Sequence, residues 1–335
     1  PQVGSDRFRA LTGVPYQPTW SLRKHPCPVR PHLAATDAVR RLNIGEWFVL
    51  GLGGEEASEL SLASRTGWLD LATRTWWAES LSATEMKESL LPPLVTAGTA
   101  LGRVDNSEVS TPLAGAVLTV AGHDHQVAAV GVGAIHEGDE LDSCGTAEAL
   151  VRTVQPNLPE ETIAELARAG ITTGWHVLAQ RWCLLGGTEG GRTLQRVRAL
   201  LGEDGEDLDA LDAAALAVSP LEVRGLVLEV TPERVVVKGA KENNRPDHIW
   251  RCALESVTSE AKLTHVAKSR LSGPHRQLIV TGGWSNSRAL LHVKRDMLGP
   301  LARSGVSQAG CRGAALLAGL AAGVYETTDQ FPDPA

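Results

Sequence analysis

Two short runs of residues have side chains suited to chemistry, His-Asp-His at positions 123 to 125 and Ser-Cys-Gly-Thr at positions 143 to 146. The first run follows Gly122 and an apolar stretch at 116 to 120, which we predict to be a strand. Glycine permits a sharp turn there, so the strand end would present the carboxylate of Asp124. The N–H groups and the hydroxyl of the second run suit a bound phosphate. We therefore predict that Asp124 accepts a proton from a hydroxyl while the second turn holds a phosphate.

The elements around the second turn are predicted from their apolar patterns. Strands are expected at 140 to 144 and at 147 to 154, on either side of the turn. Further on, a glycine run at 186 to 191 precedes a helix, in which Leu194 and Val197 keep helical spacing. A glycine run at a helix N-terminus favours a negatively charged ligand, and an ordinary glycine hinge is the alternative interpretation.

A third glycine turn, Gly282-Gly283, ends an apolar strand that begins at Gln277. A helix is predicted directly after this turn, at 288 to 298. Between the second and third glycine segments, the pattern predicts a hairpin at 226 to 238 and a long helix at 248 to 271.

Composition excludes several classes of protein. The 335 residues are 43% hydrophobic, enough for more than one domain, and the net charge of −7 argues against a broad nucleic-acid surface. The five cysteines form no C-x-x-C pair, which favours reduced thiols in a cytosolic protein. The longest apolar stretch, residues 313 to 325, is too short to span a bilayer. We expect a cytoplasmic protein without nucleic-acid or membrane partners.

These segments together resemble the FGGY family of carbohydrate kinases. In that family a Gly-x-Asp turn closes the first domain, and a Ser-x-Gly-Thr turn opens the second domain towards the ATP phosphates. Residues 59 to 67 resemble the family segment beside the substrate cleft, and residues 310 to 319 resemble the small-residue helix of the second domain. The resemblance implies an α/β, actin-like (ribonuclease-H-like) two-domain ATPase fold. The expected domains are residues 1–133, an incomplete first domain, and residues 134–335.

The resemblance also implies roles for individual residues. Asp124 would be the general base and His125 would contact the substrate. The nucleotide would be bound by Gly145, Thr146, Gly191, Gln195, Gly282, Gly283, Asn286 and Ser287. The reaction would be ATP- and Mg²⁺-dependent phosphorylation of a sugar or polyol hydroxyl. No metal ion held by protein side chains is expected, and a homodimer is plausible.

Two other functions are considered. His123 and His125 could ligate zinc in a metallohydrolase, but a zinc site also needs a third ligand from elsewhere in the chain. Alternatively, the protein could be a catalytically inactive remnant or a binding protein. The Gly-x-Asp-x-Gly-Thr phosphate hairpin of the family is not found before residue 124. We favour the expectation that the sequence is part of a longer, active kinase.

Overall fold

The computed structural model describes residues 4–25, 40–105, 111–202, 208–231 and 234–334. The chain divides into two units that alternate along the sequence. The first unit comprises Pro1–Gly138, Val151–Leu185 and Gln308–Ala335, and the second comprises Asp139–Leu150 and Gly186–Ser307. The domain boundary expected at residues 133 and 134 stays a prediction. Within the described ranges, every helix is too short or too polar to cross a lipid bilayer.

Helices and strands alternate along much of the described chain. The α-helices are α1 (Ser5–Thr12), α2 (Ser21–Lys24), α3 (Ile44–Gly51), α4 (Leu60–Ala63), α5 (Ala78–Ala83), α6 (Asp124–Gly131), α7 (Glu160–Arg168), α8 (Gly190–Leu200), α9 (Leu208–Ala217), α10 (Pro246–Ser272), α11 (Arg288–Leu298) and α12 (Ala309–Ala321). The β-strands are β1 (Ser58–Glu59), β2 (Leu69–Asp70), β3 (Thr75–Trp76), β4 (Leu94–Val95), β5 (Asp139–Cys144), β6 (Glu148–Val154), β7 (Thr172–Trp175), β8 (Trp182–Thr188), β9 (Val227–Val230), β10 (Val235–Lys238), β11 (Gln277–Thr281) and β12 (Ala302–Arg303). Single 3₁₀ turns occupy Glu88–Leu90, Thr111–Leu113, Gly283–Asn286 and Thr328–Gln330.

The first unit contains short paired strands and a sheet portion ordered β6–β8–β7. β7 runs antiparallel to β8, with Trp175 opposite Trp182. β1 pairs in parallel with β4, and β2 pairs antiparallel with β3. An aromatic core containing Phe8, Trp68 and Trp77 packs beneath α1 and α5. The unit therefore depends on several small cores around short strands rather than on one long sheet.

Helices α6 and α12 of the first unit touch backbone to backbone. A Cβ atom on Gly131 would overlap the carbonyl oxygen of Ala309, and one on Gly313 would overlap the carbonyl oxygen of Val127. Only hydrogen fits at either position, because a carbonyl oxygen of the partner helix fills the space. This contact fixes the axis of α6, whose first residue is Asp124.

The second unit has strands in the order β12–β11–β5–β6, with β11 parallel to both β12 and β5. Helices α8 to α11 contribute to an apolar core that includes Trp250, Val257, Val280 and Leu290. The predicted hairpin is confirmed as antiparallel β9 and β10, and the predicted long helix is confirmed as α10. Helix α11 has the predicted bounds.

The strand predicted at 116 to 120 is wrong. Only Val117 forms a β-bridge, to Arg103, and although Ala116 and Leu118 hydrogen-bond to the backbone of residues 101 to 104, the segment is not a strand. Leu118 and Val120 are nevertheless buried in a core of the first unit. The apolar pattern therefore reports burial of side chains, which an extended loop segment also provides.

A buried ionic cluster joins α11 to the sheet of the second unit. Lys294 is 1% exposed, and its Nζ donates to Asp142 Oδ2 at 2.6 Å and to Glu148 Oε1. Thr188 Oγ1 donates to the other oxygen of Glu148 at 2.7 Å. Cys144 Sγ lies with both carboxylates in a group whose ligand atoms are all within 4.8 Å of one another. Such spacing also suits a metal ion, but here the ammonium group already binds both carboxylates.

The charges in this cluster shift the pKa values of its members. Burial raises the pKa of Glu148 to about 7, and the charge of Asp142 acts in the same direction. Burial alone would lower the pKa of Lys294, but the Asp142 carboxylate and its neighbours outweigh burial and raise it well above the ordinary value. Lys294 is therefore the permanent cation that holds the two carboxylates.

Replacing Lys294→Met should lower the free energy of unfolding by about 3–5 kcal/mol, because buried carboxylates lose their cation. Urea unfolding monitored by circular dichroism would measure this loss. Lys262→Met is the matched control on an exposed face of α10, and it should change stability by less than about 0.5 kcal/mol. Equal, small effects of the two substitutions would contradict the structural role of Lys294.

Candidate active site

Asp124 presents its carboxylate at the start of α6. The side chain is 84% exposed, and the helix N-terminus favours a negative charge in its first turn. Its Oδ1 accepts the backbone N–H of His125 at 2.7 Å and lies 3.1 Å from Nδ1 of His123. The interaction with His123 is the main reason that the pKa of Asp124 lies well below its usual range. Asp124 is therefore an accessible, ionised carboxylate at neutral pH.

The two histidine rings flank this carboxylate, with centroids 5.9 Å apart. Burial lowers the pKa of His123, which favours a neutral imidazole. Within the described residues, the two rings and Asp124 do not form a set of three ligand atoms all within 4.8 Å of one another. Zinc ligation by His123 and His125 would therefore need a third ligand other than Asp124, and this interpretation stays untested.

The turn that precedes Asp124 rests on two buried polar residues. Gly122 has φ +101°, and a Cβ there would lie 2.5 Å from Ser61 Oγ and 2.8 Å from Glu59 Oε2. The backbone N–H of His123 donates to Ser61 Oγ at 2.8 Å, and Ser61 Oγ donates to Glu59 Oε2. Glycine is required at position 122 by both its backbone conformation and its contacts, although residues 121 to 123 change direction less sharply than predicted.

Glu59 is one of two buried carboxylic acids in this region. It is 0% exposed, and burial raises its pKa to about 7 although Ser61 and Leu62 donate hydrogen bonds to it. Glu46 is also buried, and its Oε1 accepts the N–H of Glu59 at 3.0 Å and the hydroxyl of Ser58 at 3.2 Å. Sequence reasoning placed Glu59 in the segment beside the substrate cleft without giving it a role, and it missed Glu46. The available signal was a pair of acidic residues within segments that are otherwise apolar or small.

Arg65 adds a positive charge near Asp124. Its Nη1 donates to Thr172 Oγ1, while its buried Nε and Nη2 make no hydrogen bond within the described residues. Burial lowers the pKa of Arg65, and the charges of Cys183 and Asp124 oppose that change. Because buried N–H groups are usually paired, these two donors are suited to an acceptor from outside the protein.

In the second unit, the predicted glycine segments meet one another. A Cβ on Gly191 would overlap the carbonyl oxygen of Gly145, and one on Gly282 would lie 2.6 Å from the carbonyl oxygen of Cys144. The N–H of Arg192 donates to the carbonyl of Thr146 at 2.8 Å, which ties the start of α8 to the Ser-Cys-Gly-Thr turn. The start of α8 and the Gly282 turn are therefore both in direct backbone contact with the Ser-Cys-Gly-Thr turn, although the three segments are far apart in sequence.

A cavity of about 420 Å³ adjoins the third glycine turn. Its lining residues come from the ends of two parallel strands and the loops after them: Thr281, Gly282, Gly283, Ser285, Asn286, Arg303, Ser304, Gly305, Val306 and Ser307. A Cβ on Gly283 would meet no heavy atom within 4 Å, so this glycine borders open space. Arg303 donates to Asn286 Oδ1 across one side of the cavity. The volume suits part of a small-molecule ligand.

The remaining predicted nucleotide residues occupy different positions. Ser287 is 0% exposed, and its Oγ caps α11 by accepting the N–H of Leu290 at 3.0 Å. Asn286, not Ser287, lines the cavity. Gln195 lies on an exposed face of α8, and Thr146 is exposed in its turn. Sequence reasoning missed the loop 303 to 307, although its small polar residues follow a strand end, where ligands often bind in α/β sheets.

Comparisons with known proteins identify the family of this chain. The model of the N-terminal domain of the FGGY family of carbohydrate kinases matches residues 2–131, and the model of the C-terminal domain of that family matches residues 202–322. A glycerol kinase of Methylobacterium radiotolerans is 27% identical, covering 98% of this chain and 68% of the relative. A glycerol kinase of Janthinobacterium sp. is 28% identical, covering 86% of this chain and 60% of the relative.

Solved structures share the fold. Plasmodium falciparum glycerol kinase with ADP superposes with a TM-score of 0.83 at 18% identity, over 98% of this chain and 68% of that chain. A ligand-bound xylulose kinase from Lactobacillus acidophilus gives a TM-score of 0.83 at 19% identity, over 97% and 68%.

The chain spans about 60% to 68% of the length of these glycerol kinase relatives. The two domain models together match more than half of the chain. The predicted actin-like ATPase fold is confirmed by the structural neighbours. The chain therefore belongs to the FGGY family of carbohydrate kinases.

Proposed function

We propose that the protein phosphorylates a hydroxyl group of a sugar or polyol with ATP, with Asp124 as the general base. The observation that carries this proposal is the accessible, ionised carboxylate at the start of α6. A hydroxyl oxygen would attack the γ-phosphoryl group as its proton passes to Asp124, while the bond from the γ-phosphorus to the β,γ-bridging oxygen breaks and ADP leaves. Membership of the FGGY family supports the reaction class, since its members are carbohydrate kinases.

His125 is proposed as a substrate contact beside the base. Its ring is half-buried next to that of His123, and its backbone N–H holds the Asp124 carboxylate. An imidazole offers either a donor or an acceptor to a substrate hydroxyl. The side chain can therefore orient a polyol without changing the charge of Asp124.

The second unit is proposed to bind the nucleotide. The backbone groups of Gly145, Thr146 and Gly191 suit phosphate oxygens, and Gly282, Gly283 and Asn286 border the cavity proposed for the adenosine. Open space at Gly283 and polar loop residues around it fit such a ligand. The glycerol kinase of Plasmodium falciparum was solved with ADP, which supports the same ligand class here. Gln195 and Ser287 stay weaker predictions, because neither lines this cavity.

Mg²⁺ would accompany the ATP phosphates and neutralise the charge that develops during transfer. The acidic cluster at Glu148 is already paired with Lys294, so it is not proposed to hold the ion. Dimerisation, a cytoplasmic location and the absence of nucleic-acid partners stay predictions.

Asp124→Asn should lower kcat by at least about 100-fold, because the amide cannot accept the proton. The affinity for ATP should change little, since the proposed nucleotide residues belong to the second unit. ADP release across a panel of sugars and polyols would measure turnover, and Asp329→Asn, an exposed aspartate elsewhere in the first unit, is the control. Near-normal turnover of Asp124→Asn, or no ADP release by the wild-type protein with any acceptor, would refute the proposal.

Gly283→Val should weaken ATP binding by at least about tenfold, a loss of about 1.4 kcal/mol, because the added methyl groups enter the cavity. Titration calorimetry with ATP gives the Kd. Gly310→Val is the control, since a Cβ at that exposed position of α12 also meets no atom within 4 Å. An unchanged Kd for Gly283→Val would remove this turn from the nucleotide site.

A further inference from the structure

The turn that carries Asp124 is attached to the rest of the first unit by a short hydrogen-bonded chain. The N–H of His123 donates to Ser61 Oγ at 2.8 Å, and the hydroxyl proton of Ser61 goes to Glu59 Oε2. Both Ser61 and Glu59 are 0% exposed. Water therefore does not compete for these hydrogen bonds, which makes their loss costly.

Glu59 is itself held rigidly at the other end of this chain. Its Oε2 also accepts the N–H groups of Ser61 and Leu62, at 2.9 and 3.1 Å, and so caps α4. Its own N–H is bound to Glu46 Oε1 at 3.0 Å. The Glu59 carboxylate, which orients the Ser61 hydroxyl, is therefore fixed by two N–H groups of α4, and the backbone of Glu59 is fixed by Glu46.

The same residues pack directly against Gly122. The space next to the Gly122 Cα is filled by Ser61 Oγ, by Glu59 Oε2 and by a methyl group of Val177, which a Cβ would approach to 2.6 Å. Val177 is in turn fixed because its N–H donates to the side chain of Gln126 at 3.0 Å. A hydrogen bond and close packing therefore both hold the backbone of residues 122 and 123 in place.

We propose that Ser61, oriented by Glu59, is the positioning residue for the catalytic turn: its hydroxyl fixes the backbone of His123 and thereby the direction of the Asp124 carboxylate. This inference rests on the proposed role of Asp124 as the base. Ser61 acts through His123, and its hydroxyl has both of its hydrogen bonds inside the protein. A small displacement of a reacting group lowers the rate of reaction strongly. Loss of the Ser61 hydroxyl should therefore lower kcat and leave substrate affinity nearly unchanged.

Ser58 provides a matched comparison three residues away in the same segment. Its hydroxyl is also buried and also donates to a buried carboxylate, but that carboxylate is Glu46 and the hydroxyl does not reach the turn. Ser58→Ala and Ser61→Ala remove the same atom from similar surroundings. A purely structural role would make the two substitutions equivalent.

The test begins with hydrogen exchange of the His123 amide, measured by NMR on the 335-residue chain labelled with ¹⁵N-histidine, which contains ten histidines. Ser61→Ala should speed exchange of this amide by about five- to tenfold, the effect of one lost hydrogen bond, and Ser58→Ala should not. Glu59→Gln keeps an acceptor oxygen for Ser61 and should retain most of the protection. Unchanged exchange in Ser61→Ala would overturn the proposal.

Steady-state kinetics then test the consequence for catalysis. Ser61→Ala should lower kcat by about tenfold or more with KM nearly unchanged, and Ser58→Ala should leave both constants near wild type. Equal losses in the two variants, or a loss confined to KM, would overturn the positioning role. The exchange measurement needs no substrate. If the wild-type protein lacks turnover, the proposed function fails, while exchange still decides whether Ser61 fixes the turn.

Discussion

Direct backbone contact through glycine is the constraint on which both units depend. In the first unit, Gly131 and Gly313 let α6 and α12 approach until carbonyl oxygens fill the space of a side chain. In the second unit, Gly191 and Gly282 do the same against the turn that contains Gly145. Such contacts leave no flexible side chain that could absorb an error in position. The proposed base and the proposed phosphate turn therefore sit on parts of the backbone that have little freedom to shift.

Each unit also contains buried ionisable groups, and the two units stabilise them differently. In the second unit, the Lys294 ammonium neutralises buried carboxylates directly. In the first unit, the hydrogen-bond partners of Glu59 among the described residues are N–H and O–H donors rather than a cation. Its pKa is raised to about 7 because those donors do not fully offset burial. Glu59 therefore orients the Ser61 hydroxyl through hydrogen bonds alone, without a cationic side chain among these partners.

Part of this arrangement was predictable from sequence. The double glycine before α11 marks a turn that few other residues can make, and the bounds of α11 were predicted correctly. At Gly122 the structure has the positive φ that favours glycine, but not the predicted sharp turn. The strand at 116 to 120 was wrong because apolar spacing reports burial and not ladder pairing. Ser61 was beyond local reasoning, since it contacts a backbone N–H about sixty residues away, whereas the helix cap formed by Ser287 is a local signal that was overlooked. Long-range hydrogen bonds leave no periodic signal in a sequence.

The contact between α6 and α12 has a mechanical consequence for the C-terminal residues. Arg312, on α12, donates one N–H to the carbonyl of Gly131 at the last residue of α6 and another to the carbonyl of Pro332. Tyr325 also packs closely against Gly319 of α12. Hydrogen bonds of Arg312 therefore link the segment around Pro332 to the last residue of α6, so a force on that segment would act on the helix that begins at Asp124.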